Sequence, residues 1–153
     1  MENPPTLRLL VAEDDKDVSD SLAMCFEILT LTKKITAELE ILFAANGEEA
    51  LEILQDQSRG KIDALLTDLE MPKMNGAKLI AELRKINWQG KITMMSGNKF
   101  KAQAALAELG ISDIEIHDKP IFLEKLIKII EKFSETLASP QSPATSAAAV
   151  GNA

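Results

Sequence analysis

"ALLTDLEMPKMNG", residues 64–76, sets an apolar run directly against an aspartate, Asp68, and follows it within a few positions with Pro72 and Gly76. An unbroken apolar stretch bounded by turn residues reads as a short strand buried on both faces, as in the middle of a parallel sheet. A carboxylate closing such a strand stands at the rim of the sheet. In an open α/β sheet that rim, outside the carboxyl ends of the strands, is where ligands bind. Asp68 therefore reads as part of a site whose partners lie elsewhere in the chain.

Outward from this stretch the same alternation recurs. Upstream, "LRLLVA" (7–12) is a short apolar strand that runs into an acidic cluster, after which Val18, Leu22, Cys25, Phe26 and Leu29 fall at helical spacing. "LEILFA" (39–44) leads through Asn46 and Gly47 into "EEALEIL" (48–54), and "DALLT" (63–67) leads through the loop at Pro72 to Gly76 into "AKLIAELRKI" (77–86). "KITMM" (91–95) leads through "SGN" into "AQAALAEL" (102–109), and "IEI" (114–116) leads into "IFLEKLIKIIEKF" (121–133). These are five strand–helix units, numbered below in chain order. Strands alternating with helices predict an α/β fold, a doubly wound parallel sheet of five strands with five helices over its two faces. The flavodoxin-like strand order 2-1-3-4-5 is a common one for such sheets, and it sets strands 1 and 3 side by side at the point where the order reverses.

Composition bounds the rest. With 153 residues, 46% hydrophobic and 27% charged, the chain suits one core, expected over residues 1–137. From residue 138 onward "ASPQSPATSAAAVGNA" turns to Ala, Ser and Pro, which cannot support a core, and 138–153 is expected to be a flexible tail or linker. The formal net charge of -7, from 24 acidic and 17 basic residues, argues against direct binding to nucleic acid or to an anionic membrane. A single cysteine, Cys25, excludes an intrachain disulfide, the N-terminus lacks the pattern of a signal peptide, and no apolar run nears the roughly 18 residues of a membrane span. A cytoplasmic, reduced protein is expected.

The proposed rim gathers a particular set of groups. Strand 1 ends in Glu13, Asp14 and Asp15, strand 3 in Asp68, strand 4 in Ser96, and strand 5 runs through His117 and Asp118 into Lys119. Carboxylates brought together repel, each close pair by on the order of 4 kcal/mol at an effective dielectric near 20, so the cluster calls for a cation. An all-oxygen set suits Mg²⁺, whereas one histidine and a helical cysteine do not make a zinc set. A carboxylate beside a divalent cation can act as a nucleophile toward phosphorus, and the resulting aspartyl phosphate needs a hydroxyl and an ammonium nearby. Ser96 and Lys119 supply both. Taken singly, Asp68 reads better as a turn residue and Lys119 as a surface cation; only the ordered set carries the chemistry.

"LLVAEDD", "LLTDLEMPKMNG", "TMMSGN" and "HDKP" together resemble, in order, the motifs of a response-regulator receiver domain of two-component signalling, over roughly residues 6–137. The resemblance implies that Asp68 accepts a phosphoryl group from a phosphohistidine on a histidine kinase or histidine phosphotransfer protein. It implies that Glu13, Asp14, Asp68 and the backbone carbonyl of Glu70 hold Mg²⁺, that Ser96 moves toward the phosphoryl group, and that Lys119 pairs with it. Pro120 would follow the lysine through a cis bond, and Glu70 and Asn98 would tune the lifetime of the aspartyl phosphate. Such a protein is a signalling phosphoacceptor that gains and sheds its own phosphoryl group, not an enzyme acting on other molecules. Its output would pass to a downstream effector or a second copy through helix 4, strand 5 and helix 5.

Two other classes compete. A haloacid-dehalogenase-like phosphohydrolase shares the Asp, Ser, Lys and Mg²⁺ set, but carries its nucleophile on the first strand and an aspartate where this chain has Glu70. A pseudo-receiver that only binds partners would have a broken acceptor site, and here the acceptor set is intact.

Departures from the family pattern are informative. Ile116 stands where an aromatic switch residue is usual, three before Lys119. The segment "TLTKKITAE" (30–38) is long, and either extends helix 1 or forms a loop. Phe122 opens the last helix in place of a capping residue. On that helix, Leu123, Leu126, Ile127, Ile130 and Leu137 are expected to cover the sheet; Phe122, Ile129 and Phe133 flank them, reading either as a wider buried stripe or, as the resemblance supports, as an output patch at its edge. Asp15 reads as a helix N-terminal charge, Asp118 as a rim charge and Trp88 as a packing residue at the opposite rim. Strand alternation turns His117 away from Asp68, and Met94 and Met95 fill the core of strand 4.

Overall fold

The computed structural model describes residues 3–138. The tail expected from residue 138 lies outside the described residues from 139 onward, as do residues 1 and 2. The elements are β1 (Thr6–Ala12), α1 (Lys16–Leu31), β2 (Glu38–Ala44), α2 (Gly47–Gln55), β3 (Ala64–Asp68), α3 (Gly76–Lys85), β4 (Lys91–Ser96), α4 (Lys99–Glu108), β5 (Glu115–Asp118) and α5 (Leu123–Ala138). All five strands are parallel in the order β2-β1-β3-β4-β5, so β1 and β3 meet at the switch point.

β3 is buried from end to end, which is why its sequence is apolar rather than alternating. Its side chains serve two cores. Ala64 and Leu66 join Leu9, Phe26, Leu126 and Ile130 under α1 and α5, while Leu65 joins Leu10, Ile53, Leu79 and Leu83 under α2 and α3. A third cluster, with Met94, Ile80, Leu106 and Ile116, fills the space under α4. Met94 and Met95 are both fully buried, on opposite faces of β4.

The loops at the carboxyl rim end in helix caps. Asp15, Asn46, Asn75 and Asn98 each accept a hydrogen bond from a backbone N–H in the first turn of α1, α2, α3 and α4. Asp15 is thus a capping residue. α5 lacks such a cap, and Leu126 N–H donates to the carbonyl of Phe122. Residues 30–38 do both things open to them: α1 runs on to Leu31, then turns out through Lys33 at φ 55° into a loop that reaches β2.

Gly76 explains the end of the opening stretch. A Cβ there would stand 2.1 Å from the backbone carbonyl oxygen of Asp68, and the Gly76 N–H donates to the Leu69 carbonyl at 2.7 Å. Only a residue without a side chain lets α3 begin so close to the end of β3.

The expected patch on α5 is corrected here. Ile129 and Phe133 are 2% and 3% exposed and lie in the core beneath α1 and α5, while Phe122 is 71% exposed. The helix must cover β1 and meet α1 at once, so its buried stripe is centred on Leu126, Ile129, Ile130 and Phe133. Leu123, Ile127 and Leu137 lie at its partly buried margins.

Candidate functional site

Asp68 closes β3 as a buried carboxylate. Its Oδ1 accepts the Leu69 N–H at 2.8 Å, and its Oδ2 stands 3.2 Å from the Lys119 ammonium. Thr67 donates its hydroxyl to the Asp68 carbonyl at 2.9 Å, fixing the end of the strand. Lys119 is carried in from the end of β5, where its N–H donates to the Ser96 carbonyl and its bond to Pro120 is cis, as the resemblance implies. Its Nζ also lies 3.0 Å from Glu13 Oε1, and the other Glu13 oxygen accepts the Asp15 N–H at 3.0 Å.

Glu13, Asp14 and Asp68 each present a carboxylate oxygen, all within 4.8 Å of one another. Three carboxylates against the single Lys119 ammonium leave two negative charges in excess, which suits a divalent cation. The donors are all oxygen, and each carboxylate oxygen keeps a lone pair beyond its present partner, so the residues fit Mg²⁺. Burial pushes the Asp68 carboxyl up from its ordinary pKa against the opposing pull of Lys119. Burial raises Glu13 as well, with the nearby Asp68 charge adding to it. Burial alone would lower Lys119, but its hydrogen bond to Glu13 and the Asp68 charge outweigh that and hold it above its ordinary value.

Ser96 ends β4 at the same rim, buried, but its hydroxyl is turned to the next loop. It accepts the Asn98 N–H and donates to the Asn98 carbonyl, both at 3.0 Å. Glu70 extends an exposed side chain that pairs with Lys101 in the first turn of α4. Ile116 does not stand beside Asp68: it packs with Met94, Ala102 and Leu106 beneath α4. His117 points to Glu115, 3.1 Å away, and Asp118 is exposed, so neither joins the cluster. Thr67 and Lys101 are the additions the sequence reading lacked. A polar residue within an apolar strand marks Thr67, whereas nothing local marks Lys101, whose partner lies 31 positions away.

The chain matches the response regulator receiver domain family over residues 9–131. It belongs to that family. The receiver domain is 32% identical over 126 residues to the response regulator receiver protein CpdR of Brucella abortus (strain 2308), covering 82% of this chain and 94% of that one. It is 40% identical over 80 residues to the response regulator receiver protein Anae109_2439 of Anaeromyxobacter sp. (strain Fw109-5), covering 52% of this chain and 29% of that protein. It thus spans less than a third of the second relative's length. Among solved structures, a response regulator receiver domain protein of Clostridium thermocellum superposes with a TM-score of 0.67 at 24% identity, covering 86% of this chain and 96% of the other. That likeness concerns the fold. Receiver domains are phosphoacceptors of two-component signalling, and no helix among the described residues is long and apolar enough to cross a membrane.

Proposed function

We propose that this receiver domain takes a phosphoryl group from a phosphohistidine onto Asp68. The supporting observation is the Asp68 carboxylate itself, held at the end of a buried strand between the Lys119 ammonium and the carboxylates of Glu13 and Asp14. A carboxylate oxygen of Asp68 attacks phosphorus; the P–N bond to the imidazole breaks, and the leaving nitrogen keeps the electron pair and is protonated from solvent. Lys119 is already in reach of the carboxylate that receives the group, so its charge offsets the new one without being brought in. Ser96 supplies its hydroxyl once it gives up its bonds to Asn98. Glu13, Asp14, Asp68 and the Glu70 carbonyl would hold Mg²⁺, which neutralises charge on the transferred oxygens. Water attack on phosphorus later returns Asp68 and inorganic phosphate, and Glu70 and Asn98 stand at the open side of the site to set that rate.

The donor is a histidine kinase or histidine phosphotransfer protein. Output passes through α4: releasing Ser96 disturbs Asn98, whose side chain caps that helix. Next to α4 and α5, Phe100, 84% exposed in the first turn of α4, and Phe122, exposed just before α5, offer apolar groups to a downstream partner or a second copy.

Acetyl phosphate with Mg²⁺ should add a single phosphoryl group, read by intact mass, and Asp68→Asn should remove it. Labelling that persists in the variant would sink the assignment.

A further inference from the structure

Glu70 lies in the loop after β3 and Lys101 in the first turn of α4, just past the loop after β4. No backbone hydrogen bond among the described residues joins the loop after β3 to the loop after β4, so their ion pair is the polar link between the two. Lys101 also ends a connected run of contacts. Its N–H donates to the Asn98 side chain at 3.0 Å, and the Asn98 backbone holds the Ser96 hydroxyl on both sides. Ser96, Asn98, Lys101 and Glu70 thus connect the hydroxyl that must turn toward the acceptor with the carboxylate two residues beyond that acceptor.

Charge gives the link its consequence. Glu70 lies outside the three-carboxylate cluster but near enough to feel the charge of Lys119, so its carboxylate adds to the negative field an arriving anionic phosphoryl donor meets. Lys119 is taken up by Glu13 and Asp68, which leaves Glu70 to Lys101.

We propose that Lys101 is a positioning residue of the acceptor site: it neutralises the Glu70 carboxylate, which would otherwise repel an anionic phosphoryl donor, and it ties the Glu70 loop to the Ser96 loop until the phosphoryl group arrives. The inference rests on Asp68 being the acceptor. Both side chains are solvent-exposed, so the effect is modest and screened by salt.

The test is the initial rate of labelling by acetyl phosphate with Mg²⁺ at low ionic strength. Lys101→Ala should label about two- to fivefold more slowly than wild type, with the gap closing at high salt. Lys101→Arg should restore the rate, and Glu70→Gln combined with Lys101→Ala should label faster than Lys101→Ala alone, because no unpaired carboxylate remains. Lys101→Ala labelling at the wild-type rate would overturn the proposal. So would a slow single variant that neither high salt nor Glu70→Gln relieves, since a purely structural defect behaves that way. Wild type that fails to label, or Asp68→Asn that labels, would overturn the acceptor assignment instead and this inference with it.

Discussion

Asp68 ionises against its surroundings. Burial raises its pKa in the folded chain above the unfolded value, with Lys119 only partly offsetting it. Stability from the protonated form is therefore fully present below the unfolded carboxylate value, near pH 4, and is lost as pH rises through the higher folded value. At pH 7, above the unfolded value, burial without metal disfavours the ionised carboxylate that the unfolded chain carries. A functional site often carries such a cost. Asp68→Asn, neutral at every pH, should raise the melting temperature by a few degrees at pH 7 in chelator-treated protein. The gain should shrink toward zero below about pH 4. A gain that is the same at both pH values would show that the buried charge is not its source.

At the scale of elements, Asp68 is placed by how closely α3 starts to β3. The Asp68 carbonyl and the Gly76 backbone leave no room for a methyl group, and the obstructing atom is backbone, which cannot swing aside. Gly76→Ala should destabilise the fold by about 1–3 kcal/mol in urea unfolding. Because the relief has to come from moving the end of β3, the same variant should also slow labelling of Asp68. Wild-type stability in Gly76→Ala would contradict the close approach. The caps work alongside it: Asn46, Asn75 and Asn98 begin α2, α3 and α4 within the rim loops, holding those loops in defined conformations. The start of α4 is joined to the Ser96 hydroxyl through Asn98, which both caps the helix and holds that hydroxyl.

Over the whole molecule, three apolar clusters lock the sheet between its helices and leave α4 the least buried of the helices that carry an Asn cap. Its buried residues are Ala102 and Leu106, against five buried positions in α3. Ile116 is packed beneath it, so the position three before Lys119 offers no aromatic ring to swing, and the proposed output route runs through the Ser96 loop. The surface that reports it cannot include Phe133. Phe133→Lys places a charge in the core and should cost at least about 3 kcal/mol by denaturant unfolding, whereas Phe122→Lys should stay within about 0.5 kcal/mol of wild type. Equal stabilities for the two would restore Phe133 to the surface.

The sequence by itself determined the strand–helix alternation, because period and turn residues are local properties. It also determined the ordered set Glu13, Asp14, Asp68, Ser96 and Lys119, because each stands at the end of an apolar run whose direction a parallel sheet imposes. The tertiary structure decided what no local pattern carries. α5 has apolar residues around more of its circumference than one face requires, and only its contact with both β1 and α1 selects Ile129 and Phe133 for the core. Lys101 gained its partner, 31 residues away, only when the start of α4 and the loop after β3 were brought to one rim. Ser96 was legible as a site residue, but its resting bonds to Asn98 were not, since a hydroxyl's partner depends on the path of the loop that follows it.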